Sequence, residues 1–143
     1  MRALRRPSGP RLRGDNVETA ELEAAVYDAL TSDTALTALL AGGADSIYHM
    51  QAPSDLRRYP AIVYSTISDV PALAGDDNEI THNVSIRVHI MTLDGDYAGL
   101  YRRVCSDITG IGFSRYQAYP YVEDGQIIMI ADFRIGVTSE WQQ

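Results

Sequence analysis

Between Ile80 and Ile90 the chain alternates with a period of two: Ile80, Val84, Ile86, Val88 and Ile90 share one parity. Thr81, Asn83, Ser85, Arg87 and His89 occupy the other. Successive strand side chains point to opposite faces, so this run specifies a β-strand with one buried and one wetter face. Ile127, Met129, Ala131, Phe133, Ile135 and Val137 repeat the pattern near the end of the chain. Strands with a single apolar face need a second layer to cover it. Two helical stripes can supply that layer. Leu22, Ala25, Val26, Ala29 and Leu30 recur at three-to-four-residue spacing, and so do Tyr97, Leu100, Tyr101, Val104, Cys105 and Ile108.

The remaining elements follow from local signals. Asp15 with Glu18 three positions on has the form of a capping box opening the first helix. Thr31-Ser32-Asp33 interrupts that helix and caps a second, short one carrying Leu36, Leu39 and Leu40, which Gly42-Gly43 ends. Ile47-Tyr48-His49 is a short extended segment, and Pro53 and Pro60 bracket a polar loop. Ala61 to Ser68 is β-branched and strand-like; residues 69–79 form a turn-rich loop, acidic towards its end. Asp94-Gly95-Asp96 is expected to cap the helix of the second stripe, and Gly110 to close it. Phe113 to Val122 is a tyrosine-rich strand whose Pro120 marks an edge position or a bulge. Glu123-Asp124-Gly125-Gln126 is a hairpin turn. The order is α-α-β-β-β-α-β-β. It predicts an α+β fold, a mostly antiparallel sheet with amphipathic helices packed on one face. Residues 15–143 form a single domain behind a basic, flexible arm at 1–14, and no internal repeat is found.

Charge narrows the functional classes. All twelve basic residues are Arg. Arg2, Arg5, Arg6, Arg11 and Arg13 fall in the first fourteen positions, which hold no acid. Residues 15–143 then set seven Arg against nineteen acids, a body that repels phosphate and argues against a DNA-gripping domain. No run approaches the roughly 18 consecutive apolar residues of a membrane helix, so no membrane partner is expected. Cys105 is the sole cysteine, which leaves no internal disulfide and no cysteine zinc cluster. It lies on an apolar helical stripe, where a thiol is usually packing. His82 and His89 point to opposite faces of one strand and cannot share an ion. Asp76-Asp77-Asn78-Glu79 lacks the ligand spacing and central glycine of an EF-hand. Gly110-Ile111-Gly112 follows a helix and has no third glycine, and neither a phosphate-binding GxxxxGK nor a G-x-S-x-G elbow occurs. These observations predict no catalytic residue, no metal and no cofactor. A small α+β ligand-binding or enzymatic domain, its site assembled from scattered residues, stays open as an alternative.

Nine Tyr against two Phe and one Trp point instead to protein contact. The segments AVYDALTSDTALTALLAGG, IYHMQAPSDLRRYPAIVYSTISD, ITHNVSIRVHIMTLDGDYAGLYRRV and EDGQIIMIADFRIGV, in this order, resemble the tail completion (tail-to-head joining, or tail terminator) proteins of long-tailed bacteriophages. The likeness spans roughly residues 20–138, leaving the arm outside it. The resemblance implies a structural virion protein of the tail or neck, made in the host cytoplasm and without catalytic residues. It implies a homo-oligomer, a hexameric ring, at the head-proximal end of the tail, ending the tube and joining it to the head connector. Its partners are then the major tail tube protein and the head-side connector or stopper protein. Genomic double-stranded DNA passes through the bore without sequence-specific binding. A head-side stopper or adaptor of the same neck is the nearest alternative. Candidate subunit contacts are Tyr64, Tyr116, Tyr119 and Tyr121. Candidate axial contacts are Arg5, Arg6, Arg11 and Arg13 of the arm, with Leu73, Asp76, Asp77 and Glu79 of the loop.

Overall fold

A computed structural model describes residues 19–55, 58–71 and 79–140. Three α-helices, α1 (Thr19–Thr31), α2 (Thr34–Thr37) and α3 (Ala98–Thr109), pack on one face of a five-stranded sheet. The strands are β1 (Ile47–His49), β2 (Ala61–Pro71), β3 (Glu79–Thr92), β4 (Ser114–Glu123) and β5 (Gln126–Glu140), in spatial order β1-β2-β3-β5-β4. All neighbours are antiparallel except β1, which runs parallel to β2. The α+β class and the element order are those expected from the sequence.

The period-two pattern builds the core. Val84, Ile86, Val88 and Ile90 of β3 and Met129, Ala131 and Phe133 of β5 lie on the helix-covered face, all buried. Leu22, Val26 and Leu30 of α1 and Leu100, Val104 and Ile108 of α3 close over them. At about 25 cal/mol per Å² of apolar surface removed from water, each such side chain contributes roughly 1.5–3 kcal/mol.

Local chemistry sets the boundaries, with some departures from expectation. Asp33 caps α2 by accepting hydrogen bonds from the Ala35 and Leu36 amides at 3.0 and 3.1 Å. Leu36 and Leu40 are buried, whereas Leu39 is 49% exposed. Asp94 does not cap α3. It accepts from the Asp96 amide at 3.0 Å in a local turn, and Tyr97 is the residue at the cap position. Gly110 keeps right-handed geometry, and the positive φ (113°) falls on Gly112, where the chain reverses into β4. β4 runs through Pro120 without a break, and its bulge lies between Arg115 and Gln117. The hairpin turns on Asp124 (φ 51°) and Gly125 (φ 78°), the paired positive values that suit the twist of its strands. The 69–79 loop is shorter than expected, because β2 continues to Pro71 and β3 starts at Glu79. The expected Asp15–Glu18 capping box lies outside the described residues.

Candidate assembly surface

The sheet leaves two edges uncovered among the described residues. On one side β4 is the last strand. On the other, β1 pairs with only Ile62, Val63 and Tyr64 of β2, and the Met50 amide closes that ladder on the Tyr64 carbonyl at 2.8 Å. From Ser65 onwards β3 is the only strand partner of β2 among the described residues. Unpaired edges are templates for another strand. Each edge strand also carries a bulge, at Thr66/Ser68 in β2 and Arg115/Gln117 in β4, and each carries a proline, Pro71 or Pro120. Such features keep an isolated sheet from pairing indiscriminately.

The tyrosines divide between surface and core. Tyr116 and Tyr119 are each 40% exposed on β4, and Tyr121 is half-buried on the same strand. The Arg134 guanidinium lies 4.2 Å from the Tyr116 ring centroid, a cation–π contact that holds this ring on the helix-free face. Tyr64 corrects the expectation. It is 5% exposed, in the core, with its ring 6.3 Å from Tyr27 and 5.1 Å from His49. So covered a side chain has little area left for a neighbour. The exposed apolar residues along β2 are instead Ile67 (40%) and Val70 (49%).

The helix-free face is organised by an ion pair that single-strand patterns do not reveal. Asp132 is fully buried there and accepts from Arg87 Nε at 2.8 Å, Arg87 Nη2 at 3.0 Å and Gln117 Nε2 at 2.6 Å. Register places Arg87, Asp132 and Gln117 side by side across β3, β5 and β4. Burial pushes the Asp132 carboxyl up, but the hydrogen bonds from Arg87 and Gln117 outweigh it and hold the carboxyl below its usual range. Beside it, burial and then the Arg87 charge push His89 below the ordinary histidine value. The sequence signal was present: Arg87 and Asp132 both sit on the wetter parity of their strands. Only the register shows that they meet.

A second charged cluster joins α2 to α3. Arg103 donates to Asp33 at 3.0 Å (Nε) and 2.8 Å (Nη2). The hydrogen bond from Arg103 holds Asp33 far below the usual carboxylate range. Burial, followed by a hydrogen bond with Asp33, pushes Asp107 up to about 7. This is the behaviour of two carboxyls sharing one proton.

Of the axial candidates, Arg5, Arg6, Arg11, Arg13, Leu73, Asp76 and Asp77 lie outside the described residues. Glu79 begins β3, paired in register with Glu140. Among the described residues there is no cluster of three or more potential metal ligands, and no helix is long and apolar enough to cross a membrane. His82 sits with Asp69 on the helix side of the sheet (3.3 Å), on the opposite strand face from His89.

Comparison with known proteins finds a matching family and solved structures of similar fold. The family described as "Tail completion protein gp17" matches residues 24–108, more than half of the chain. A chain from the virion of a native gene transfer agent particle has a similar fold, with a TM-score of 0.52 at 19% identity. That match covers 81% of this chain and 95% of the other. A search of curated proteins gives no match.

Proposed function

Since the chain belongs to the tail completion protein gp17 family, a family of phage tail structural proteins, we propose that it closes the head-proximal end of a tail. In this reading copies assemble as a ring that stops tube growth and presents a docking surface to the head-side connector, with DNA passing through the bore. The protein works by shape and performs no catalysis.

The observation that carries the ring is the direction of its two open edges. β2, β3, β5 and β4 alternate in direction, so β4 runs opposite to β2. Copies related by rotation about an axis roughly along the strands keep these directions. The β4 edge of one copy then meets the β2 edge of the next in antiparallel sense. Such contacts are heterologous, one patch on a different patch, and a rotation that closes gives a ring. A hexamer is the size proposed from the family resemblance.

The acids bear on the bore. Glu21, Asp28, Asp45, Asp55, Asp94 and Asp96 are exposed on the helices and connecting turns. On the helix-free face Asp132 is paired with Arg87 and covered. A channel lined by the acidic surface attracts no DNA phosphate and lets a polyanion slide without counterion release favouring a bound state.

The test is particle assembly without this chain. Tails of irregular length and unjoined heads are expected, with joining restored by adding the purified protein. Tails of normal length that join heads in its absence would refute the reading. Restoration by pre-binding to heads, but not to tails, would assign it to the head-side neck instead.

A further inference from the structure

Among the described residues the edge of β2 is open from Ser65 to Pro71, because β1 stands on Ile62, Val63 and Tyr64. On the far side of the sheet β4 begins at Ser114 and covers β5 only up to Arg134. Register across the sheet converts these limits into levels. Ser65 is level with Arg87, Asp132 and Gln117; Thr66 with Ile86, Phe133 and Arg115; Ser68 with Ser85, Arg134 and Ser114. The open part of β2 and the strand β4 therefore share only the levels of Ser65 to Ser68 and Ser114 to Gln117. Both bulges lie there. Ile67 is the extra residue of one and Tyr116 of the other, within one residue step of each other, about 3.3 Å along the strands. Each is a large apolar side chain, 40% exposed.

We infer that the two bulges are the subunit contact: Tyr116 of one copy packs on Ile67 of the next, and Arg115 beside it pairs with that neighbour's Asp69. This contact rests on the reading that copies form a ring, and it names the residues that touch. Rotation about an axis along the strands leaves every level unchanged, so the β4 bulge of each copy arrives at the β2 bulge of the next. An extra residue facing an extra residue keeps the count equal on the two sides, whereas a plain strand would meet either bulge out of step. Past this level the neighbour's β4 passes outside β1, a displacement of one strand spacing that the bend at a bulge accommodates. Charge agrees with shape. Arg115, Thr66 and Asp69 all lie on the helix-covered side, level with the buried Phe133, Ile86 and Val84. Arg115 is exposed and has no ion-pair partner among the described residues. Across the contact it meets the exposed Asp69 and also Glu23, which Thr66 Oγ1 holds over the β2 edge at 2.7 Å. Tyr116 is already braced by the Arg134 guanidinium, so little side-chain freedom is lost when it packs.

The test assembles full-length chains on tail tubes that lack them, every chain carrying Cys105→Ala, Ile67→Cys and Tyr116→Cys. Within one chain these positions are three strand spacings apart, about 14 Å, beyond the roughly 7 Å that a disulfide spans between Cα atoms. Every 67–116 link therefore joins two copies, and a ladder of linked multimers is expected. Ile67→Cys with Val122→Cys, well removed along β4, should give at least tenfold fewer links. In a chain without added cysteines, Arg115→Glu with Tyr116→Asp, both at exposed positions, should leave the thermal melt unchanged and abolish rings in negative-stain images. Rings of the cysteine chain without 67–116 links, equal linking through position 122, or rings that survive the double substitution each overturn the contact. Where the cysteine chain forms no ring, the double substitution decides alone. Failure of the unsubstituted chain to form any ring refutes the assembly reading instead.

Discussion

Asp132, fully buried, and Asp107, half-buried, show how two carboxylates acquire opposite linkage to pH. Asp132 is fully buried but holds three hydrogen bonds, so its charge is compensated. Asp132→Ala leaves the Arg87 guanidinium, 29% exposed, without its partner and should destabilise the chain by about 1.5–3 kcal/mol, read as a lowered urea midpoint. Replacing Arg87, Asp132 and Gln117 together by apolar residues should recover most of that loss. Asp107 behaves in reverse, because its folded pKa of about 7 lies above the unfolded value of 3.8. Its contribution is neutral below the unfolded value, turns unfavourable as pH rises between the two, and is fully unfavourable above 7. Asp107→Asn should therefore stabilise the protein by about 1 kcal/mol at pH 8, after solvent screening, and by little at pH 4. Thermal melts at the two pH values check the sign. Asp33 has the opposite linkage. Its depressed pKa contributes stability above 3.8 that is lost as pH falls. Asp33→Ala also removes the α2 cap, a loss of about 1 kcal/mol.

Among the elements, the β4–β5 hairpin and α2 depend most on single positions. Gly125 adopts φ 78°, so Gly125→Val places a β-branched residue in the left-handed region. A loss of about 1–2 kcal/mol is expected, with frayed amide protection at the β4 end of the hairpin, measured by hydrogen exchange. α2 is four residues long, far below the length at which a helix stands alone. It persists through the Asp33 cap, the Arg103 pair and the burial of Leu36. The helix was expected to carry Leu36, Leu39 and Leu40 as far as Gly42-Gly43, and it is shorter than that. The helix ends at Thr37, and the chain then turns Leu39 outward while Leu40 remains inside.

For the whole molecule, the open sheet is the feature on which assembly depends. Lysines on an edge strand oppose edge-to-edge pairing. Ile67→Lys with Val70→Lys, both at exposed positions, should leave the monomer within about 0.5 kcal/mol of its original stability and abolish rings on tail tubes. Thermal melts and negative-stain images separate the two effects. Rings that survive this pair would move the subunit contact away from the β2 edge.

The sequence by itself determined the elements and the core face. Strict alternation in β3 and β5 and the stripes of α1 and α3 are local periodicities, fixed by side-chain direction along a strand or helix. The hairpin was equally legible, because Asp-Gly accepts the positive φ angles the turn requires. Tertiary structure decided whatever depends on lateral neighbours. The parallel docking of β1 covers three residues of β2, buries Tyr64 and leaves the rest of that edge open. Register across three strands brings Arg87, Asp132 and Gln117 together, and register across four sets the two edge bulges at one level. Periodicity reports which way a side chain points relative to its own backbone. What stands opposite it is set by how distant segments pair, and no single segment carries that information.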